Sequence, residues 1–287
     1  MQPALYALGL MRYAEDAYAA TGIALLGALQ IAVLAALVRP LEGRFPVERW
    51  ADRRAVRVDV LYTLLERLGV IPLAVFFLVR PALDGVDGAL RFGGWIPPNL
   101  EDLVPTLASY PLLAFLVYLV VLDFSDYARH RLQHRFAWWW ALHGVHHSQR
   151  QLTFWADDRN HLLDTVIADV WRAGVALLIG VPGGQFVGIV LLTRAVESFS
   201  HANVRVGFGA LGERALVSPR FHRVHHGMGV GHEGPAAGCN FASLLPVWDV
   251  LFGTADFRRS FPPTGIADQR EGADYGEGFA SQQWKAL

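Results

Sequence analysis

Apolar residues in this chain gather into long uncharged runs rather than the regular alternation of a half-exposed strand or an amphipathic helix. Residues 17–38 carry no charge over 22 positions, residues 103–122 over 20 and residues 173–193 over 21. A hydrocarbon core of about 30 Å is crossed by roughly 20 helical residues, so each run predicts a membrane-spanning segment. The third contains Val181-Pro182-Gly183-Gly184, where proline removes a backbone donor and glycine loosens the chain. With apolar character extending from Leu162 to Phe199, that segment predicts a helical hairpin. A weaker stretch, residues 60–79, holds Glu66 and Arg67 in its interior. The two are expected to pair with each other or to face a bundle interior, and Arg80-Pro81 to mark the end of the stretch. The run at residue 17 is longer than the roughly 7–15 apolar residues of a signal peptide, and it follows Glu15 and Asp16 instead of basic residues.

Composition sharpens this reading. Of 287 residues, 53% are hydrophobic and 18% charged, against about 25% charged in soluble domains; mean hydropathy is +0.29. Lipid is therefore expected to replace water over much of the surface. The predicted fold is an all-α integral membrane protein, a single domain over 1–287. Spanning helices occupy 1–122, a histidine-rich helical region 123–254, and a polar, loosely structured tail 255–287. A net charge of -1 gives no basic field for a nucleic acid. Cys239 is the only cysteine, which excludes an intrachain disulfide and any cysteine-built zinc or iron–sulfur site. Arg39, Arg44, Arg49, Arg53, Arg54 and Arg57 follow the first run, whereas Arg80 and Arg91 stand beside Asp84, Asp87, Glu101 and Asp102 before the next. The positive-inside bias thus puts the first loop in the cytoplasm. The chain then returns to that side just before Arg129, Arg131 and Arg135, where the histidines begin.

There are eleven histidines. His130 and His134 are four apart, which on a helix puts both rings on one face. His143-Gly144-Val145-His146-His147 follows, and the same HxxHH spacing returns at His222-Arg223-Val224-His225-His226. His161 and His201 flank the hairpin. Ten such imidazoles exceed the four ligands of one structural zinc or the three of a catalytic one, so two metals are expected. Imidazole alone leaves iron, copper, nickel and zinc open. No HExxH occurs, and His232-Glu233 lacks a partner at the spacing of a zinc protease.

In order along residues 123–254 stand His130-Arg131-Leu132-Gln133-His134, His143 to Ser148, Arg159-Asn160-His161-Leu162-Leu163-Asp164, His201-Ala202-Asn203, His222 to His226, Asn240-Phe241-Ala242 and Trp248-Asp249-Val250-Leu251-Phe252-Gly253-Thr254. This series resembles the membrane-bound fatty acid hydroxylase and sterol desaturase superfamily. Leu162 and Asp164 replace a frequent proline and glutamate of that pattern, and Ala242 a glycine. The resemblance implies a di-iron centre using O2 as co-substrate, with His130, His134, His143, His146, His147, His161, His201, His222, His225 and His226 as its ligand set. It also implies a membrane lipid as substrate. Hydroxylation of a fatty-acyl, sterol or related lipid is the expected reaction. Desaturation and ether-lipid monooxygenation share every motif, and a metal-binding membrane protein without oxygenase activity would keep the ligands.

Breaking an unactivated C–H bond lies beyond side-chain acids and bases, so the oxidant must come from a cofactor. Carboxylates are then free to orient ligand rings. Asp123, Asp126, Asp158, Asp164 and Asp249 are the candidates, with Asp126 foremost because it lies four residues before His130. Trp138-Trp139-Trp140 is expected at the membrane–water interface. No flavin or NAD motif accompanies these elements, so electrons are expected from a separate ferredoxin, cytochrome or reductase.

Overall fold

The computed structural model describes residues 2–50, 52–96, 98–233 and 237–286, and among these the only β-pairing is an isolated bridge between Gly227 and Thr264. The first long helix, α1 (Ala14–Arg44), carries Glu15 and Asp16 in its opening turn, where the helix dipole favours negative charge. With the residues just before it, the run Met11–Arg44 is long and apolar enough to cross a membrane. Leu25, Leu29 and Leu37 stand exposed along it, as lipid-facing positions do. Near its C-terminal end Glu42 is buried and accepts from the amides of Phe154 and Asn203, both at 3.0 Å. That carboxylate ties a membrane helix to the two loops beside the histidines.

The weak fourth stretch forms two helices, α2 (Arg53–Arg67) and α3 (Val70–Phe92), bent by 46°. The break falls at Gly69, whose φ of 86° only glycine adopts without strain, and not at Arg80-Pro81. Pro81 lies inside α3, so the expected end point is corrected. Glu66 and Arg67 do face the bundle interior but do not pair with each other. Glu66 accepts from Arg194, and Arg67 spreads its guanidinium over Asp157, Asp158, Ser198 and Gln30 at 2.6–3.1 Å. This reach is possible because Gly27 of α1 lies directly on the Arg67 carbonyl; a Cβ there would sit 1.7 Å from that oxygen.

The second helix able to cross a membrane is α4 (Pro111–Arg135). It starts eight residues later than the apolar run, because a 3-10 turn occupies Pro105–Ser109 and Pro111 takes the first helical position. It also continues past Asp123, since Asp123, Asp126 and Arg129 are buried against protein. Its last turns thereby carry His130 and His134. A short helix, α5 (Ala137–His147), packs back on it. The hairpin is present as α6 (Leu162–Leu178) and α7 (Gly183–Ser200), parted at the Pro182-Gly183 break. After α8 (Pro219–His225) and α9 (Val247–Leu251) comes the tail. It is not loose: α10 (Phe279–Lys285) docks on α2, where the Tyr62 hydroxyl donates to buried Gln282 at 3.0 Å and Gln283 donates to Tyr62 at 2.9 Å. Side-chain amides hold this segment where apolar contacts are few, so polar composition misrepresents it.

Candidate metal centre

Nine histidines, all buried, converge into two groups. His130, His134, His143, His147 and His225 form one; His146, His201, His222 and His226 form the other, with the ligand atoms of each group within 4.8 Å of one another. The i, i+4 pair of each HxxHH stays together, and the way the helices face one another decides which group it joins. In α5 the i and i+4 members of HxxHH, His143 and His147, join the first group while His146 turns to the second. The second HxxHH does the reverse: His222 and His226 share the second group and His225 crosses to the first. Residues four apart share a helix face and the one between them points elsewhere.

The ring nitrogens fit metal ions. In the second group, Nε2 of His201 lies 3.2 Å from Nε2 of His146 and 3.0 Å from Nε2 of His222, whose Nε2 lies 3.1 Å from that of His226. The Nδ1–H of His146 donates to the Arg159 carbonyl at 3.2 Å, and that of His201 to the Glu197 carbonyl at 2.7 Å. A carbonyl only accepts, so both rings carry their proton on Nδ1 and present bare lone pairs at Nε2. Two lone pairs at that separation repel unless a cation lies between them. Metal–nitrogen bonds of about 2.0–2.1 Å at 90–109° would put neighbouring nitrogens about 2.9–3.4 Å apart, which brackets the spacing found. In the first group His130 and His225 donate from Nδ1 to the carbonyls of Phe241 and Cys239, both at 2.7 Å, and His143 to Asp164 at 3.1 Å. Their Nε2 atoms, and both nitrogens of His134 and His147, are buried without a partner.

Burial among like rings, chiefly through lost solvation, holds His146, His147, His222, His225 and His226 well below the usual imidazole pKa; His201 is pushed down to about 4. The rings are therefore neutral at physiological pH, the form that binds a metal.

Three expectations change. His161 lies outside both groups. It caps α6, where its Nδ1 accepts from the Leu163 amide at 3.1 Å and its Nε2 donates to the Gln283 carbonyl at 2.9 Å, leaving no ring lone pair for a metal. Asp126 touches no histidine, because Arg129 and Arg172 claim its carboxylate at 3.2–3.4 Å. Of the five candidates Asp164 is the one that hydrogen-bonds a ring, and it also accepts from Gln133 at 2.7 Å and Trp139 at 2.7 Å; Asp157, outside the five, stands 3.6 Å from Nδ1 of His201. The tryptophans divide: Trp138 is exposed, Trp139 is buried on Asp164, and Trp140 lies against His134, His147 and His232 at 5.0–5.2 Å. His232 borders the first group, its ring centroid 4.6 Å from that of His147. Asp249 acts one step removed, accepting from the Phe241 and Ala242 amides at 2.9 Å and so fixing the carbonyl that holds His130. These backbone acceptors carry no sequence signal.

Two clusters of imidazole at the ends of apolar helices define a histidine-rich membrane metalloprotein. Residues 115–254 match the fatty acid hydroxylase family. Over 232 residues, 76% of this chain, the sequence is 29% identical to an ornithine lipid hydroxylase of Rhizobium tropici and covers 63% of that protein. Over 132 residues, 46% of this chain, it is 30% identical to an alkylglycerol monooxygenase of Homo sapiens, covering 28% of it. The chain thus spans under two thirds of these relatives. No solved structure matches it.

Proposed function

We propose that this protein is a membrane-bound, O2-dependent lipid hydroxylase with a di-iron centre held by the nine grouped histidines. The observation that carries the reading is the pair of buried groups whose bare nitrogen lone pairs converge at the ends of membrane helices. The names of its relatives, lipid hydroxylases and monooxygenases, support the substrate class. The balanced reaction is C–H + O2 + two electrons + two protons giving C–OH and water. Two iron ions supply the redox chemistry that activates dioxygen. His130, His134, His143, His147 and His225 would hold one ion, and His146, His201, His222 and His226 the other.

The chain's own residues do the rest. Carbonyls of Arg159, Glu197, Cys239 and Phe241, with the Asp164 carboxylate, fix ring tautomers and orientations. Burial excludes bulk water and keeps the rings neutral. His161 serves the start of α6 and not the metals. The electrons come from a separate one-electron carrier, a ferredoxin, cytochrome or reductase, and the arginine bias supports a cytoplasmic position for the site. The purified chain in detergent is expected to hold two irons and, with a reductant, to incorporate 18O from 18O2 into lipid. Loss of two hydrogens without 18O would assign desaturation, and O2 uptake unaffected by lipid would overturn the reading.

A further inference from the structure

Beside the histidines lie an apolar cavity of about 680 Å³, walled mainly by α1, α3, α6 and α7, and a chamber of about 120 Å³ bordered by His130, His146 and His222, with Asp157 and Asp158 in its wall. A third cavity, about 360 Å³, shares no residue with either. It lies between the end of α1 and the start of α2 and is lined by Arg39, Trp50, Arg53, Val56 and Arg57. Three guanidiniums and an indole thus face one space, with no carboxylate in its wall.

Their pairing leaves positive charge available. Arg53 and Arg57 make no hydrogen bond or ion pair among the described residues. Arg39 lies over the Trp50 ring at 3.8 Å and stands 3.7 Å from Glu42, whose Oε1 already accepts from two amides. Asp52 caps α2 by accepting from the amides of Arg54 and Ala55, and Arg54 turns to Glu277. Like charges four apart on a helix repel, so an anion held between Arg53, Arg57 and Arg39 offsets a cost that the protein itself leaves standing.

The surroundings say what kind of anion. Arg39 is the first charge after the uncharged run of α1, a helix long and apolar enough to cross a membrane. An arginine and a tryptophan at that point stand at head-group level. The helix α2 runs back along α1, since Gly27 meets Arg67 while Arg39 meets the first turns of α2. Leu61 and Leu64 continue the helix face of Arg57 and are 42% and 39% exposed. On α1, Ala32 and Ala36 precede Arg39 by seven and three residues and are exposed as well. Charge therefore sits at one end of a bare apolar strip, which is the polarity order of a phospholipid.

We propose that this third cavity binds the phosphate of an anionic phospholipid, with its acyl chains lying on the strip formed by α1 and α2. Guanidinium matches phosphate through paired, charge-assisted hydrogen bonds. Inorganic phosphate offers the same anion but leaves the strip uncovered, and a zwitterionic lipid adds its own cation to three others. The position is separate from the cavities at the histidines and stands whether or not the hydroxylase reading does.

The test is native mass spectrometry of the full chain in detergent, supplied with phosphatidylglycerol or phosphatidylcholine of identical acyl chains. Phosphatidylglycerol is expected to be retained in preference. Arg53→Gln with Arg57→Gln should lower that retention about fivefold for each arginine lost, whereas Arg53→Lys with Arg57→Lys, which keeps both charges, should preserve most of it. Bound metal, read in the same spectra, is expected unchanged in both variants. Equal retention of the two lipids by the unaltered chain overturns the site, as does undiminished phosphatidylglycerol in the glutamine variant. Loss of metal together with lipid overturns its separation from the histidines. Displacement of phosphatidylglycerol by inorganic phosphate overturns the lipid as occupant.

Discussion

The two histidine groups draw on the same pair of HxxHH helices in opposite proportion. The five-membered group takes two residues from α5, one from α8 and two more from the spanning helix α4. The four-membered group takes one from α5, the outer pair of the second HxxHH, His222 and His226, and His201 from the end of the hairpin. One group is therefore anchored to a helix long and apolar enough to cross a membrane, the other to the end of the helical hairpin. Both hold some rings by hydrogen bonds and leave two to packing. Carbonyls or Asp164 fix His130, His143 and His225 in the first and His146 and His201 in the second. His134 and His147 have no hydrogen bond from either nitrogen and rest on ring packing with each other, at 4.8 Å, and with Trp140, while His222 and His226 lack a partner at Nδ1. The lesson is that identical spacing builds two different sites, because the second histidine of each motif crosses over.

The sharpest way to break the comparison is to remove one imidazole from each group. His146→Ala and His225→Ala are each expected to lower bound iron from about two per chain toward one and to reduce labelled lipid to background, read by metal analysis and mass spectrometry on the same samples. If both keep full iron and full product, the ligand assignment is wrong. Asp164→Asn should weaken iron binding roughly 10–100-fold, the usual loss when an orienting partner is removed, whereas Asp126→Asn should leave iron affinity unchanged; competition with a chelator separates them.

Acidification provides a smaller, graded effect. His146, His147, His201, His222, His225 and His226 are depressed in the folded state, so below the unfolded imidazole pKa of about 6.5 only the unfolded chain gains protons there, and folding stability falls. The contribution is complete above that pH and is lost below it at about 1.4 kcal/mol per pH unit for each ring. Thermal unfolding of the iron-free chain should therefore drop steeply between pH 7 and 5.5, and a flat profile would contradict neutral, buried rings. The smallest effect belongs to the tail. Gln283→Ala removes its bonds to Tyr62, Asn160 and the Leu162 amide and should cost about 1–3 kcal/mol, read as a lowered melting temperature with iron retained.

Much of this architecture is visible in residue order, and the exceptions are instructive. Uncharged runs locate α1, the hairpin and most of α4, and the HxxxH and HxxHH spacings identify eight of the nine grouped histidines, His201 being marked only by its place after the hairpin. Which group each joins is not legible, because it depends on how α4, α5 and α8 face one another. Asp126 has ideal helical spacing to His130, but Arg172, distant in sequence, captures it. Asp164 gives no such cue and reaches His143 only because α6 starts beside α5. His161 sits inside a motif, yet the tail's Gln283 occupies it. In each case a partner remote along the chain decides the role of a residue whose local pattern suggested another.

Gly27 sets a dimension of the whole molecule. It belongs to the wall of the apolar cavity and lies against the carbonyl of Arg67, where even a methyl group would overlap. Any larger residue would force α1 and α2 apart by roughly an ångström or more in a packed interior that does not absorb such shifts. Arg67 would carry the shift to Asp157 and Asp158 at the chamber wall. A single hydrogen atom, more than one hundred residues before the first histidine, thus acts as the gauge that calibrates the bore of the apolar cavity and the setting of the carboxylates beside the histidines together.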